Sequence, residues 1–280
     1  MPSYLVEIFY LFAAVCFVFS LKMMSKPKTA RMGNFIGAFG MFVAIIVTLL
    51  DQRILSYELI GLGMSIGVVI GVCLAYLSPM TGIPQVVAVL NGLGGGASAL
   101  AVGAVFEELL KGHGFEILSI QFLVAALLSG LIGGLSFTGS FIAFAKLQEL
   151  MTGRPILYPG RHVLNATLFI ICIALVVVQF FYQDSSLPFW LLFGVASLLG
   201  ISLILPIGGA DMPVVIALLN SYSGLAAAGH GWVLNNSVLI VGGSLVGAAG
   251  FILTVLMCKA MNRSIYNIMF SGFGTIKNRL

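Results

Sequence analysis

Charge is what this sequence has least of. Asp, Glu, Lys and Arg make up 8% of its 280 residues, where a soluble domain carries roughly 25%. So few charges cannot solvate the surface of a 29.6 kDa globule, which excludes a water-soluble enzyme and a charged, disordered chain alike. Cysteine is sparse too. Cys16, Cys73, Cys172 and Cys258 stand singly in apolar runs without CxxC spacing, so neither a disulfide-stapled module nor a cysteine metal centre is expected. Each reads instead as a small core hydrophobe. The three histidines, His113, His162 and His230, fall in loops or at helix ends, and no span holds a Lys–Asp or His–Glu relay. That argues against a self-contained proton pump.

Apolar residues fill the space the charges leave. Hydrophobic residues reach 60% and mean hydropathy is +1.13; the 34 glycines are well above the usual ~7% of a chain. The expected fold class is all-α, a polytopic helical membrane protein. A span needs about 20 largely apolar residues, and nine segments qualify: 4–21, 34–50, 57–77, 83–106, 116–145, 164–182, 187–206, 212–229 and 236–258. The first lacks the basic leading region of a signal peptide and is read as a span.

Nine spans put the two termini on opposite sides. Lys22, Lys26, Lys28, Arg31, Lys146, Arg154, Arg161, Lys259, Arg263, Lys277 and Arg279 fall on one side of this topology, against only Arg53 and Lys111 on the other. Seven of the nine acids, Glu7, Asp51, Glu58, Glu107, Glu108, Glu116 and Asp184, take the opposite side. Positive charge accumulates on the cytoplasmic face, so the N-terminus is expected outside and the C-terminus in the cytoplasm. A membrane unit over 1–258 and a cytoplasmic tail over 259–280 follow.

Rows of glycine at four-residue spacing (Gly63, Gly67 and Gly71; Gly130 and Gly134; Gly243 and Gly247) predict close backbone approach between helices. Gly92-Leu-Gly-Gly-Gly96 lies inside an apolar run with no strand before it, which makes it a poor phosphate cradle. An internal repeat is more informative: Pro84-Gln-Val-Val-Ala-Val-Leu-Asn91 recurs as Pro213-Val-Val-Ile-Ala-Leu-Leu-Asn220. Each copy opens a helix with Pro, whose missing N–H costs nothing there, and places Asn about 10 Å along the axis. The two copies are expected to run parallel and to bring Asn91 and Asn220 to one depth.

Polar groups inside a span are expensive unless they face protein or water. Ser140 and Thr138 in the fifth span should lie at nearly the level of Asn91 and Asn220, with Ser221 and Ser223 beside Asn220. Each reads singly as a helix–helix hydrogen bond and together as the lining of a polar lumen. Asp211, just before Met212-Pro213, reads both as an N-cap of the eighth span and as a carboxylate at its cytoplasmic mouth.

Gly208-Gly-Ala-Asp-Met-Pro-Val-Val and Leu219-Asn-Ser-Tyr-Ser-Gly224 resemble the membrane domain (domain II) of the beta subunit of proton-translocating NAD(P) transhydrogenase. Phe137-Thr-Gly-Ser140, Pro159-Gly-Arg-His162, Cys258-Lys-Ala-Met-Asn-Arg-Ser264 and Gly272-Phe-Gly-Thr275 are similar to further motifs of that family in the same order. The resemblance implies a membrane part of an enzyme that couples hydride transfer from NADH to NADP+ to inward proton movement. It implies NAD(H) on an alpha subunit and NADP(H) on a separate Rossmann-like domain of the beta subunit. It also implies alpha-subunit membrane helices as partners, a homodimer of the whole complex, and the bacterial inner membrane as location. No nucleotide fingerprint stands in these residues, so no cofactor, no metal, no nucleic acid and no unaided hydride transfer are expected of this chain.

Ser140, Asn220 and Asp211 match family positions and are carried over as polar pathway or coupling residues. With the polar residues at the same depth, the expected proton-pathway residues are Asn91, Thr138, Ser140, Asn220 and Ser221, and the expected coupling residues at the cytoplasmic face are Asp211, Arg161, His162 and Arg263. The sequence departs from some members at Asn91, where they carry a histidine relay. Asparagine does not titrate, and this chain is similar to members that place the histidine on an alpha-subunit helix. Two other classes compete. A secondary transporter with its substrate site at the parallel-repeat interface would want a charged or clustered polar pocket at midplane, and only neutral Asn, Ser and Thr are on hand; a structural scaffold would leave the polar residues without a role.

Overall fold

Each apolar run becomes a helix, because a backbone out of water must satisfy its own hydrogen bonds. The computed structural model describes residues 3–50, 57–112 and 118–265. Among these are nine helices long and apolar enough to cross a membrane: α1 (Ser3–Met24), α2 (Pro27–Leu50), α3 (Tyr57–Leu77), α4 (Ile83–Gly112), α5 (Ile120–Leu147), α6 (Arg161–Phe181), α7 (Leu187–Ile204), α8 (Met212–Val233) and α9 (Ser237–Ala260). No described residue forms a strand. The nine expected spans are all present, as a multi-pass membrane protein requires. Their ends differ where helix outlasts hydrophobicity. α2 starts at Pro27 rather than 34, and α4 runs on to Gly112 through Glu107, Glu108 and Lys111. Neither extension depends on apolarity: Pro27 suits a first helical position, and Glu107 and Lys111 stand 3.9 Å apart as an i,i+4 pair.

The chain divides into two units, residues 1–80 with 236–242, and residues 81–235 with 243–280. In the first, α1 and α2 form a hairpin around Val6, Tyr10, Ala13, Ala44, Val47 and Val238. Tyr10 and Thr48 share a hydrogen bond of 3.0 Å between their hydroxyls. A Cβ on Gly40 would come within 2.8 Å of Cys16 Cβ, so glycine there sets the α1–α2 spacing. α3 departs from expectation. It buries none of its residues, and no described atom lies within 4 Å of where a Cβ would sit on Gly63, Gly67 or Gly71. Its glycine row is not used for packing among the described residues.

The second unit is built around α5. Gln85 reaches Leu147, Asn91 reaches Ser140, and Gly95 abuts Gly133; rising numbers on α4 meet falling numbers on α5, so these helices are antiparallel. Ser136 donates to the Leu219 carbonyl (3.1 Å) and Ser129 to that of Ala226 (3.0 Å), which makes α8 antiparallel to α5 and parallel to α4. Against α7 the order is the same on both helices, Gly134 beside Phe193 and Thr138 donating to Ser197 O at 2.6 Å. The traverses alternate, as successive membrane crossings must. The two copies of the Pro…Asn repeat are thus parallel helices on a shared neighbour, and a single 3-10 turn precedes each, Met80–Gly82 and Gly209–Asp211.

Glycine sets these distances. A Cβ on Gly133 would come within 2.6 Å of Gly95 O, one on Gly92 within 3.1 Å of Phe137 O, and one on Gly224 within 2.4 Å of Gly247 N. The Gly92–Gly96 run is therefore a packing surface for α5. The rows at Gly130/Gly134 and Gly243/Gly247 are close-packed as expected, the α8–α9 contact being backbone against backbone.

Candidate functional site

Close approach of three backbones brings their short polar side chains together. Asn91 on α4, Ser140 on α5 and Ser223 on α8 are all buried. Asn91 Nδ2 donates to Ser140 Oγ at 3.1 Å, Ser223 Oγ donates to Asn91 Oδ1, and the same hydroxyl lies 3.0 Å from the Asn220 carbonyl oxygen. The result is a run Ser140–Asn91–Ser223–Asn220 that crosses from α5 through α4 to α8. A larger residue at Gly92 would push α4 off α5 and open it. Asn91 pairs with Ser223 rather than Asn220; three residues of helix separate those two, about 4.5 Å of rise, so the asparagines sit near one level. The Asn220 side chain is half-buried and makes no hydrogen bond to another described residue, which leaves its amide available beside the run.

Two expected members of the lining lie elsewhere. Thr138 faces α7, donating to Ser197 O at 2.6 Å. Ser221 faces α9, donating to Gly247 O at 2.7 Å. Both act as the helix–helix hydrogen bonds that were the plainer reading. Ser223, expected in the lining but not among the pathway residues, takes the central place instead. Its i+3 spacing from Asn220 hinted at this, but only the depth at which α8 meets α4 decides it.

A charged pair lies at the end of the bundle where α8 begins. Asp211 Oδ1 is 3.5 Å from Arg263 Nε, with the carboxylate mostly buried and the guanidinium half-exposed. Asp211 does not cap α8, contrary to the cap reading: its backbone is helical (φ −92°, ψ −5°) and its side chain accepts no cap hydrogen bond. The reason is local. A capping residue is normally extended and bonds the N–H of N2 or N3, yet Asp211 closes a 3-10 turn and N2 is Pro213, which has no N–H. Arg263 is placed by a left-handed stop to α9. Asn262 has φ +52°, its N–H bonds Lys259 O at 3.1 Å, and the Arg263 N–H bonds Cys258 O at 2.8 Å, the pattern of a Schellman cap.

Arg161 and His162 open α6, where Arg161 Nε donates to His162 Nε2 at 3.2 Å; Gly160 before them has φ +77°, a conformation that suits glycine. The Gly272–Thr275 motif, like most of the 259–280 tail, lies outside the described residues. Lys146, counted among the cytoplasmic charges of the expected topology, is buried in the last turn of α5 and donates to Leu205 O and, at 2.6 Å, to Ile207 O. A basic residue in a last helical turn is an ordinary signal, but its carbonyl partners belong to the far end of α7. Among the described residues no group of His, Cys, Asp and Glu could hold a metal ion.

A helical membrane bundle with a buried amide–hydroxyl run and an acid–base pair at one end is a polytopic protein built to keep polar groups inside the bilayer. The chain belongs to the NAD(P) transhydrogenase beta subunit family, whose model matches residues 6–279. It is 45% identical over 268 residues to the NAD(P) transhydrogenase subunit beta of Rhodospirillum rubrum, and equally to that of a designated strain of the same species. Each match covers 95% of this chain and 58% of the relative, so the chain spans little more than half the length of those relatives.

Proposed function

We propose that this chain is the proton-conducting membrane part of an NAD(P) transhydrogenase, coupling proton movement to hydride transfer between NADH and NADP+ on soluble domains. The observation that carries this is the buried Asn91–Ser140–Ser223 run on three helices, in a member of the beta-subunit family. Family membership leaves the secondary-transporter reading without support.

In this reading the run hydrates and orients a proton path without storing the proton. An amide and two hydroxyls donate and accept but do not titrate near neutrality, whereas a histidine, with an unperturbed pKa of ~6.5, does. The carrier is then a histidine on an alpha-subunit helix packed beside Asn91, Ser140 and Asn220. Asp211, Arg161, His162 and Arg263 transmit the nucleotide state at the cytoplasmic face, with the N-terminus outside. The complete assembly is a homodimer in the bacterial inner membrane, with NAD(H) on the alpha subunit and NADP(H) on a further beta-subunit domain.

The test is proton efflux from liposomes that hold the complete complex with its nucleotide domains facing the medium, while added NADH reduces NADP+. Asn220→Leu and Asn91→Ala are the variants. Slowed efflux with intact assembly is expected in both, the effect of Asn91→Ala being partial. Wild-type efflux in Asn220→Leu would make the run structural glue and defeat the reading.

A further inference from the structure

Lys146 has a cost that the polar run does not explain. It is 2% exposed and forms no ion pair among the described residues. An unpaired ammonium taken out of water is strongly disfavoured. Its described partners are two backbone carbonyls, Leu205 O and Ile207 O. These belong to the connector that leaves the end of α7, where the helix dipole leaves partial negative charge and unsatisfied carbonyls. The ammonium is therefore stabilised by the exit of α7.

The same connector is held from its other side by the α5–α6 loop. Ile156 N donates to Leu205 O at 3.2 Å, and Gly209 N to Gly153 O at 2.8 Å. Ile207 and Met212 are buried in the apolar core with Ile204. Anchors thus recur along the connector at Leu205, Ile207, Gly209 and Met212, and the residue they deliver next to Met212 is Asp211. The loop also lies against Gly208, where a Cβ would make ordinary contact with Pro155 Cγ at 3.5 Å.

We propose that Lys146 is a positioning residue for proton coupling: by clamping the Leu205 and Ile207 carbonyls it fixes the α7–α8 connector and so the placement of Asp211 against Arg263. This rests on the proton-conducting reading above and adds to it the element that joins the membrane path to the charged pair. Lys146 acts through Asp211 and touches neither the proton nor a nucleotide.

The experiment uses the complete complex in liposomes, with Lys146→Met, Lys146→Gln, Asp211→Asn and the Lys146→Gln/Asp211→Asn double variant. Readouts are assembly by size-exclusion chromatography, thermal stability, and proton-coupled turnover resolved into kcat and KM for the nucleotides. Lys146→Met strands a buried carbonyl, whereas Lys146→Gln keeps an N–H donor for it without the charge. We expect Lys146→Gln to assemble, to leave KM unchanged, and to lower coupled kcat substantially, by up to the ~10²-fold that a remote mutation can cost when it misplaces a functional group by 1 Å.

Groups that act as a unit are not additive. Lys146→Gln should therefore cost little further in the Asp211→Asn background. A role in stability alone would reduce turnover by the same factor in both backgrounds, and that result overturns the proposal. So does wild-type coupled turnover in Lys146→Gln. Failure of both Lys146→Met and Lys146→Gln to assemble makes Lys146 a folding residue and equally overturns it. If the wild-type complex moves no protons, the proton-conducting reading itself fails; if it does and Lys146→Gln matches it, only the role of Lys146 fails.

Discussion

Ser223 donates a hydrogen bond to Asn91 across 132 residues of sequence, joining the two helices that carry the Pro…Asn repeat. The bond is unsymmetrical with respect to the repeat. The position of the first copy that aligns with Ser223 is Gly94, which meets no described atom within 4 Å. One copy supplies the amide and the other the hydroxyl, so the two helices have divided the work at their contact.

Ser223→Ala should leave the Asn91 carbonyl oxygen buried without its donor, at a cost of about 1–3 kcal/mol. Ser223→Thr keeps the hydroxyl and should recover most of that loss. Thermal unfolding of the purified complex checks both. Equal stability of the Ala variant and wild type would mean the bond contributes nothing.

Asp211→Asn should barely change stability, because the side chain caps no helix and its partner Arg263 is half-exposed, where ion pairs contribute roughly 0–1 kcal/mol. Coupled proton transport should nevertheless drop, and Arg263→Gln should drop with it. Transport at wild-type rate in either variant would separate the pair from coupling.

Gly224→Ala would bring a methyl within 2.4 Å of the Gly247 backbone nitrogen, which cannot move aside as a side chain end could. Loss of several kcal/mol is expected, on the order of an overpacked core. Gly67→Ala on α3 meets open space and should be neutral or slightly stabilising in this chain purified on its own, since glycine is the poorer helix former. Comparable melting losses for the two substitutions would contradict this geometry.

Single cysteines at Arg154 and at Lys111, in a background lacking the exposed Cys73, test orientation. Impermeant maleimide added to right-side-out vesicles should label the Lys111 site and spare Arg154. Labelling of Arg154 from outside would invert the assigned topology.

Much of this protein was legible in its residues, because a bilayer leaves few choices. With 8% charge and nine apolar runs, an all-helical span count follows from the need to satisfy backbone groups internally. The parallel course of α4 and α8 follows from the three crossings, an odd number, that lie between them. What composition cannot give is rotation about a helix axis. Thr138 and Ser140 are two residues apart, roughly 200° around a helix at 3.6 residues per turn, so they face different neighbours, α7 and α4. Ser221 and Ser223 are divided in the same way between α9 and α4. Asp211 kept its place but lost its cap, since the 3-10 turn and Pro213 remove the geometry capping needs. Lys146 was visible only as a charge, because the carbonyls that hold it lie about 60 residues away on the α7–α8 connector. Segments and their direction are properties of the chain; which side chains meet is a property of how closely its glycines let the helices approach.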